Sequence, residues 1–167
     1  MTYRTAGLMV LALSLSCFAV AQGPRATATL RLDKSMVAAG ATVTGHVSVT
    51  FPDGYHGYQN PPSEEFEIPV KVSLPKGSVF KIVKINYPKG APMTVPGETK
   101  PSAVYSNTID ISVILKAPAK VGTASLALSL DYQECNASSC LPPDSLPLST
   151  SVKVTAAAKK GSKTKKS

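Results

Sequence analysis

The segment DYQECNASSCLPPDSLPL, residues 131–148, holds Cys135 and Cys140 with four residues between them, followed almost at once by Pro142 and Pro143. Three chemistries fit such a pair. Oxidised and inert, it is a structural staple. Cycling between thiol and disulfide, it is a redox centre that exchanges electrons with a partner. Reduced, and joined by an imidazole and a thioether such as His56 and Met93, it is a soft copper site of the kind that suits Cu(I). The ring closed by the two cysteines spans only about six residues, for which loop-closure entropy gives about 2 kcal/mol, against about 4 to 5 for a loop the length of a domain. As a staple the pair is poorly placed. Pro142 and Pro143 have no N–H to donate and favour an extended exit, which restrains the sulfurs from moving apart. A short, exposed disulfide loop is the type that exchanges readily. On these residues alone, redox work, a loop clip and metal binding all stay open.

The neighbouring residues give the pair little activation. No Lys, Arg or His adjoins either cysteine in sequence, whereas Glu134 and Asp144 stand close by and tend to raise a thiol pKa. The fold could bring His56 to the pair, but a lone His on a turn reads first as polar surface, and Tyr55 and Tyr58 read as packing residues. Asn60-Pro61-Pro62 with Ser63-Glu64-Glu65 reads as a turn with a solvated acidic face. There is no phosphate-cradling Gly loop and no hydrolase Ser/His/Asp arrangement.

The compartment decides whether a disulfide can persist. Arg4 supplies a positive start, residues 6–18 are almost wholly apolar, and Ala19-Val20-Ala21 has the small-x-small form of a signal-peptide cleavage site. The apolar run is short of the ~18 residues that a membrane span needs. Cleavage after Ala21 discards Cys17 and leaves an even cysteine count in residues 22–167. The rival reading keeps Cys17 as a lipidated residue, but Ser14 stands where that signal calls for Leu. An exported, periplasmic protein is expected, where disulfides form and persist.

The formal charge is +8, but its distribution argues against a nucleic-acid partner. Arg4 supplies one of these charges, and Lys159, Lys160, Lys163, Lys165 and Lys166 supply five, so the body is nearly neutral. The tail 157–167 has no apolar period and is expected to be disordered, with weak contact to anionic envelope surfaces as its one conceivable partner.

The elements that must position the cysteines are strands. Val43, Val47, Val49 and Phe51 share one parity, and Thr42, Thr44, His46, Ser48 and Thr50 share the other. Ala124, Leu126, Leu128, Leu130 and Tyr132 repeat the pattern, as do Ile109, Ile111, Val113 and Leu115. One apolar and one wet face at period two is the mark of a half-buried antiparallel strand. TATLRL, EIPVKVSL, VFKIVKINY and STSVKVT add candidates, broken by turn chemistry in FPDGY, LPKG and YPKGAP. Seven or eight short strands in one domain, residues 22–156, predict an all-β, immunoglobulin-like antiparallel sandwich. It would lack the Cys…Trp…Cys core of antibody domains, since the chain has no Trp. The cysteine segment then falls just past the strand ending at Tyr132, where a sandwich presents functional loops.

A resemblance narrows these alternatives. Tyr132-Gln133-Glu134-Cys135, then Cys140-Leu141-Pro142-Pro143, resembles the active-site hairpin of the periplasmic N-terminal domain of the DsbD thiol:disulfide interchange family. Asp53-Gly54-Tyr55-His56-Gly57-Tyr58 is similar to that family's Asp-Gly-Tyr-x-x-Tyr, and Tyr87-Pro88-Lys89-Gly90 and Val104-Tyr105 resemble later landmarks. The resemblance covers roughly residues 26–155. It implies a monomeric thiol–disulfide oxidoreductase of the protein-disulfide reductase type that needs no cofactor and no metal. Such a domain takes reducing equivalents from a thioredoxin-like or membrane-embedded thiol donor and passes them to an envelope disulfide isomerase or another disulfide client. By the same resemblance Cys140 forms the mixed disulfide and Cys135 resolves it. Tyr55 and Tyr58 would flank the pair, with Gln133, Pro142 and Pro143 in support, and residues 91–104 would lie over it as a cap. That stretch has no aromatic to shield the sulfurs. The membrane and C-terminal thioredoxin-like domains of full-length members have no counterpart in this sequence, so the electron donor is expected on another chain.

Overall fold

The long alternating runs become the central strands. A computed structural model describes residues 25–94 and 99–157. Its strands are β1 (Thr27–Leu32), β2 (Met36–Ala38), β3 (Thr42–Thr50), β4 (His56–Tyr58), β5 (Lys71–Ser73), β6 (Lys81–Asn86), β7 (Ala91–Met93), β8 (Ser102–Ser106), β9 (Thr108–Lys116), β10 (Gly122–Tyr132) and β11 (Asp144–Thr155). No helix occurs among the described residues. The expected signal segment 1–21, with Cys17, and the tail lysines lie outside the described residues.

Two four-stranded sheets, β1-β3-β9-β6 and β2-β11-β10-β5, face each other across one core, and a small sheet, β4-β8-β7, stands beside them. This is the expected all-β, immunoglobulin-like antiparallel sandwich. Val43, Val47 and Val49 of β3 meet Ile111, Val113 and Leu115 of β9 on the inner face of the first sheet. Leu126, Leu128, Leu130 and Tyr132 of β10 line the second, with Leu148, Val152 and Val154 of β11. Each is buried, so the apolar parity of the sequence is the core face. Ala124 is half-buried at the edge of that core rather than inside it.

Three segments depart from the expected strands. EIPVKVSL keeps only Lys71–Ser73 as strand. Pro69 cannot donate to a ladder, and Glu67 is buried, its Oε2 accepting from the N–H groups of Ser63 and Glu64 at 2.6 and 3.2 Å. The carboxylate holds a turn where the pattern suggested extended chain. VFKIVKINY forms β6 with a bulge between Ile82 and Lys84, which leaves Val83 exposed. STSVKVT is the end of a longer strand, because β11 begins at Asp144 and pairs with β10 without interruption from Tyr132↔Asp144 to Gly122↔Val154. The cysteine segment is therefore the connection of the longest hairpin in the sandwich. Two of the three anticipated turns are present: Tyr55 N–H donates to Pro52 O at 3.0 Å, and Ser78 N–H to Pro75 O at 3.2 Å, whereas YPKGAP runs as irregular chain straight into β7.

Candidate functional site

Between Tyr132 and Asp144 the chain folds into a second, tighter hairpin. Asn136 Oδ1 accepts from the N–H groups of Ser138 and Ser139, both at 2.9 Å, and Asn136 N–H donates to Ser139 O at 2.9 Å. Asn side chains favour this role because they can mimic a backbone turn. At the base, Leu141 N–H donates to Glu134 O at 2.7 Å, and Gln133 Nε2 donates to Leu141 O at 3.0 Å. Gln133 thus braces the base of the hairpin. Pro142 and Pro143 are exposed and carry the chain from Leu141 into β11. Cys135 and Cys140 face each other across this hairpin, joined by a disulfide with their Cα atoms 3.9 Å apart.

The hairpin is also an extension of the small sheet. His56 N–H donates to Cys135 O and Cys135 N–H donates to His56 O, each at 2.9 Å. From edge to edge the order runs β7, β8, β4, Cys135, Cys140. The two sulfurs consequently differ. Cys135 is inside, 0% exposed, in a cluster with Tyr58 and Val104. Cys140 is on the rim and exposed. A thiolate arriving from solvent meets Cys140 first.

Tyr58 flanks the pair by packing on Cys135. Tyr55 is half-buried and lines a cleft of about 380 Å³ with Pro52, His56, Met93 and Ala137, the last of these on the cysteine hairpin itself. Of the expected cap, residues 91–104, the described part is β7, β8 and their flanks. Val104 packs on Cys135, and Met93 and Ala137 both line the cleft. Residues 95–98 lie outside the described residues. An aliphatic side chain does the shielding for which the sequence offered no aromatic.

The glycines of the landmarks have a physical reason. A Cβ on Gly90 would lie 2.9 Å from Val104 N and 3.0 Å from Ala103 C, backbone atoms that cannot step aside, so only Gly lets β7 start this close to β8. A Cβ on Gly57 would lie 2.7 Å from Phe51 Cζ and 3.1 Å from Val70 Cγ2. Gly57 therefore seats β4 against the main core while His56 and Tyr58 face the disulfide. Tyr87 and Tyr105 fasten the same region: Val72 N–H donates to Tyr87 Oη at 2.9 Å, and Tyr105 Oη donates to Pro88 O at 2.8 Å.

Two expectations about neighbours change. His56 is not polar surface on a turn. It is 3% exposed, on a strand, paired with the buried cysteine. Its one local sign in the sequence is that it shares parity with Tyr58 on either side of Gly57. Glu134 is also buried, but successive residues of extended chain point to opposite faces, so its carboxyl lies across the backbone from the Cys135 sulfur. Burial raises its pKa above the ordinary 4.5 and Asp144 adds to this, while the Ala26 backbone and the Arg25 guanidinium pull the other way. A carboxyl raised in the folded state gives its full stability below its unfolded value and loses it as pH rises through the folded one. Beside it, burial pushes the Tyr132 hydroxyl up to about 12, with Glu134 and Asp144 adding and Arg25 opposing. Arg25 stands 3.9 Å from Asp144. His56 and Met93 do share the cleft wall, as a copper site would require. Among the described residues, however, no group of three or more His, Cys, Asp or Glu is arranged to hold a metal, and the disulfide leaves no thiolate to bind one.

This geometry agrees with comparison to known proteins. Residues 27–150 match the family described as thiol:disulfide interchange protein DsbD, N-terminal. Among solved structures, the N-terminal periplasmic domain of ScsB from Proteus mirabilis is similar with a TM-score of 0.55 and 14% identity, over 75% of this chain and 45% of that one. The chain therefore spans less than half the length of that relative. The N-terminal domain of Neisseria meningitidis DsbD in the reduced form is similar over 69% of this chain and 82% of that one, with 20% identity and a TM-score of 0.46. No curated protein sequence matches the chain. The match over residues 27–150 shows that this chain belongs to the family of the N-terminal domain of the thiol:disulfide interchange protein DsbD.

Proposed function

We propose that this domain works in the periplasm as a relay of reducing equivalents, with Cys140 forming mixed disulfides and Cys135 resolving them. The donor in this reading is a thioredoxin-like or membrane-embedded thiol protein. The acceptor is an envelope disulfide isomerase or a similar client. The observation that carries the reading is the difference between the sulfurs, Cys140 exposed on the rim and Cys135 buried directly behind it. Exchange requires one sulfur that a partner thiolate can reach and a second held within bonding distance to expel that partner. Family membership supports thiol–disulfide exchange in general, and the export signature read from residues 1–21 supports the compartment.

The clip reading is weaker for a structural reason. Asn136, Gln133, the Glu134–Leu141 pair and the His56–Cys135 pair already hold the hairpin by hydrogen bonds, so the disulfide adds little shape that the loop would otherwise lack.

The test is transfer. Oxidised domain is mixed with a reduced thioredoxin-like protein, reduced domain is mixed with an oxidised disulfide isomerase, and free thiols are counted by alkylation and mass. Both cysteines are expected to change state together in each mixture. A disulfide that stays closed against every such donor, in a folded domain, would leave the loop clip as its role.

A further inference from the structure

The strand pairing that buries Cys135 also sets an imidazole beside it. His56 and Cys135 exchange both backbone hydrogen bonds. Directly opposed residues of an antiparallel pair project their side chains from the same face, close enough to interact. Cys135 and Cys140 are opposed in the same way across the next pair. Imidazole, buried sulfur and rim sulfur thus form one row on one face. Tyr58, two residues along β4, shares that face, packs on Cys135 and meets the His56 ring edge-on, at 6.0 Å between centroids and 87° between planes.

From this row we propose that His56 is the acid–base residue of the exchange centre, which takes the proton from Cys135 and returns it. The inference rests on the relay reading given above. A thiol must lose its proton before it attacks a disulfide, and an apolar enclosure such as Tyr58 and Val104 opposes formation of the thiolate. The proton of Cys135 therefore needs a local acceptor at the moment of attack. With Cys140 joined to a partner, neutral His56 takes the Cys135 proton and the Cys135 sulfur attacks Cys140 Sγ. The Cys135–Cys140 bond forms, the Cys140–partner bond breaks, and the electron pair leaves with the partner sulfur as its thiolate. The domain is oxidised and the partner reduced. In the reverse direction a partner thiolate attacks Cys140 Sγ, the electron pair passes to Cys135, and the imidazolium supplies the proton. No other reactant is needed.

Few other groups around His56 can do this. On its own segment it has Tyr55 and Tyr58, and the hairpin brings Cys135 and Cys140. β8 and β7 contribute Ser106 and Met93 to the shared cleft. None of the other described residues lining that cleft carries a charge. Asp53 is exposed in the preceding turn, and Glu134 lies on the far face of the hairpin.

Reaction of the fully reduced protein with the chromogenic disulfide dithiobis(nitrobenzoate) separates the steps. Attack by Cys140 releases the first coloured thiolate, and attack by Cys135 on the mixed disulfide releases the second. His56→Gln is expected to leave the first release unchanged and to slow the second on the order of 10²-fold at neutral pH, as loss of a positioned acid–base group does. The pH profile of the second release should lose one ionisation with the imidazole. His56→Phe, which fills similar space without a ring nitrogen, serves as a second variant. A normal second release in a variant whose first release is normal would overturn the inference and leave the relay standing. So would a wild-type second release whose pH profile shows the Cys135 thiol alone, a result that needs no variant. A wild-type protein that gives no second release would overturn the relay reading itself.

Discussion

A Cys135→Ser protein is expected to capture a thioredoxin-like partner covalently in cell-envelope extracts, as a band that disappears on adding reductant. Cys140→Ser is expected to capture almost none. The effect is close to all-or-none because it depends on which sulfur a partner can touch. In the wild type, Cys135 expels the partner as soon as the mixed disulfide forms, so nothing accumulates. Serine at 135 removes that resolving thiol and leaves Cys140 on the rim. Serine at 140 leaves a single thiol that is 0% exposed, behind Tyr58 and Val104. Serine is nearly the size of cysteine, and both hydrogen bonds of Cys135 to His56 are made by backbone. Neither variant should lose the hairpin. Equal capture by both would reject the assignment of roles but keep the relay. Capture by neither, with donor-type partners present, would return the pair to the clip reading.

Leu130→Ala should cost the domain about 2 to 5 kcal/mol, the range for emptying a leucine site in a packed core. Leu130 is fully buried on β10, between Val72 of β5 and Leu146 of β11. It stands one alternate position before Tyr132, where the strand hands over to the cysteine hairpin. Reducing the Cys135–Cys140 disulfide should cost at most about 2 kcal/mol, because the ring it closes is so short. Urea unfolding of the wild type, the reduced wild type and Leu130→Ala ranks the two effects. The order expected is a larger fall in midpoint for Leu130→Ala than for reduction. A domain that unfolds on mild reduction would show that the disulfide carries the fold, and a relay domain must survive that state in every cycle.

The parts of the fold that were legible in the sequence are the ones with enough length to show a period. β3, β9 and β10 each repeat apolar and polar residues over nine or more positions, and their buried faces follow that parity. β2, β4 and β7 have three residues each, too few to carry a period. They exist because a neighbour supplies hydrogen bonds: β4 between β8 and Cys135, and β7 along β8. The cysteine pair was visible as residue types at a spacing. Its asymmetry was implied only by the family resemblance and not by the spacing, because burial of Cys135 comes from Tyr58 and Val104, each distant in the chain. His56 reads first as surface for the same reason. Its environment is set by pairing with residue 135, and nothing within a few residues of 56 announces a partner so far away. Glu67 shows the converse case: the first residue of EIPVKVSL reads as extended strand, but its carboxylate folds inward to hold a turn.

The reduction potential of the Cys135–Cys140 pair tests the central claim most directly. Structural disulfides of exported proteins lie below about −300 mV, whereas pairs that exchange with thioredoxin-like partners sit higher, near the poise of the thiol proteins they meet. Equilibrating the domain with a thiol–disulfide couple of known potential, and measuring the oxidised fraction by alkylation and mass, gives the value. A relay predicts a potential above about −300 mV, with the domain folded in both states. A value well below about −300 mV would contradict it, because no thioredoxin-like donor could then hold the pair reduced.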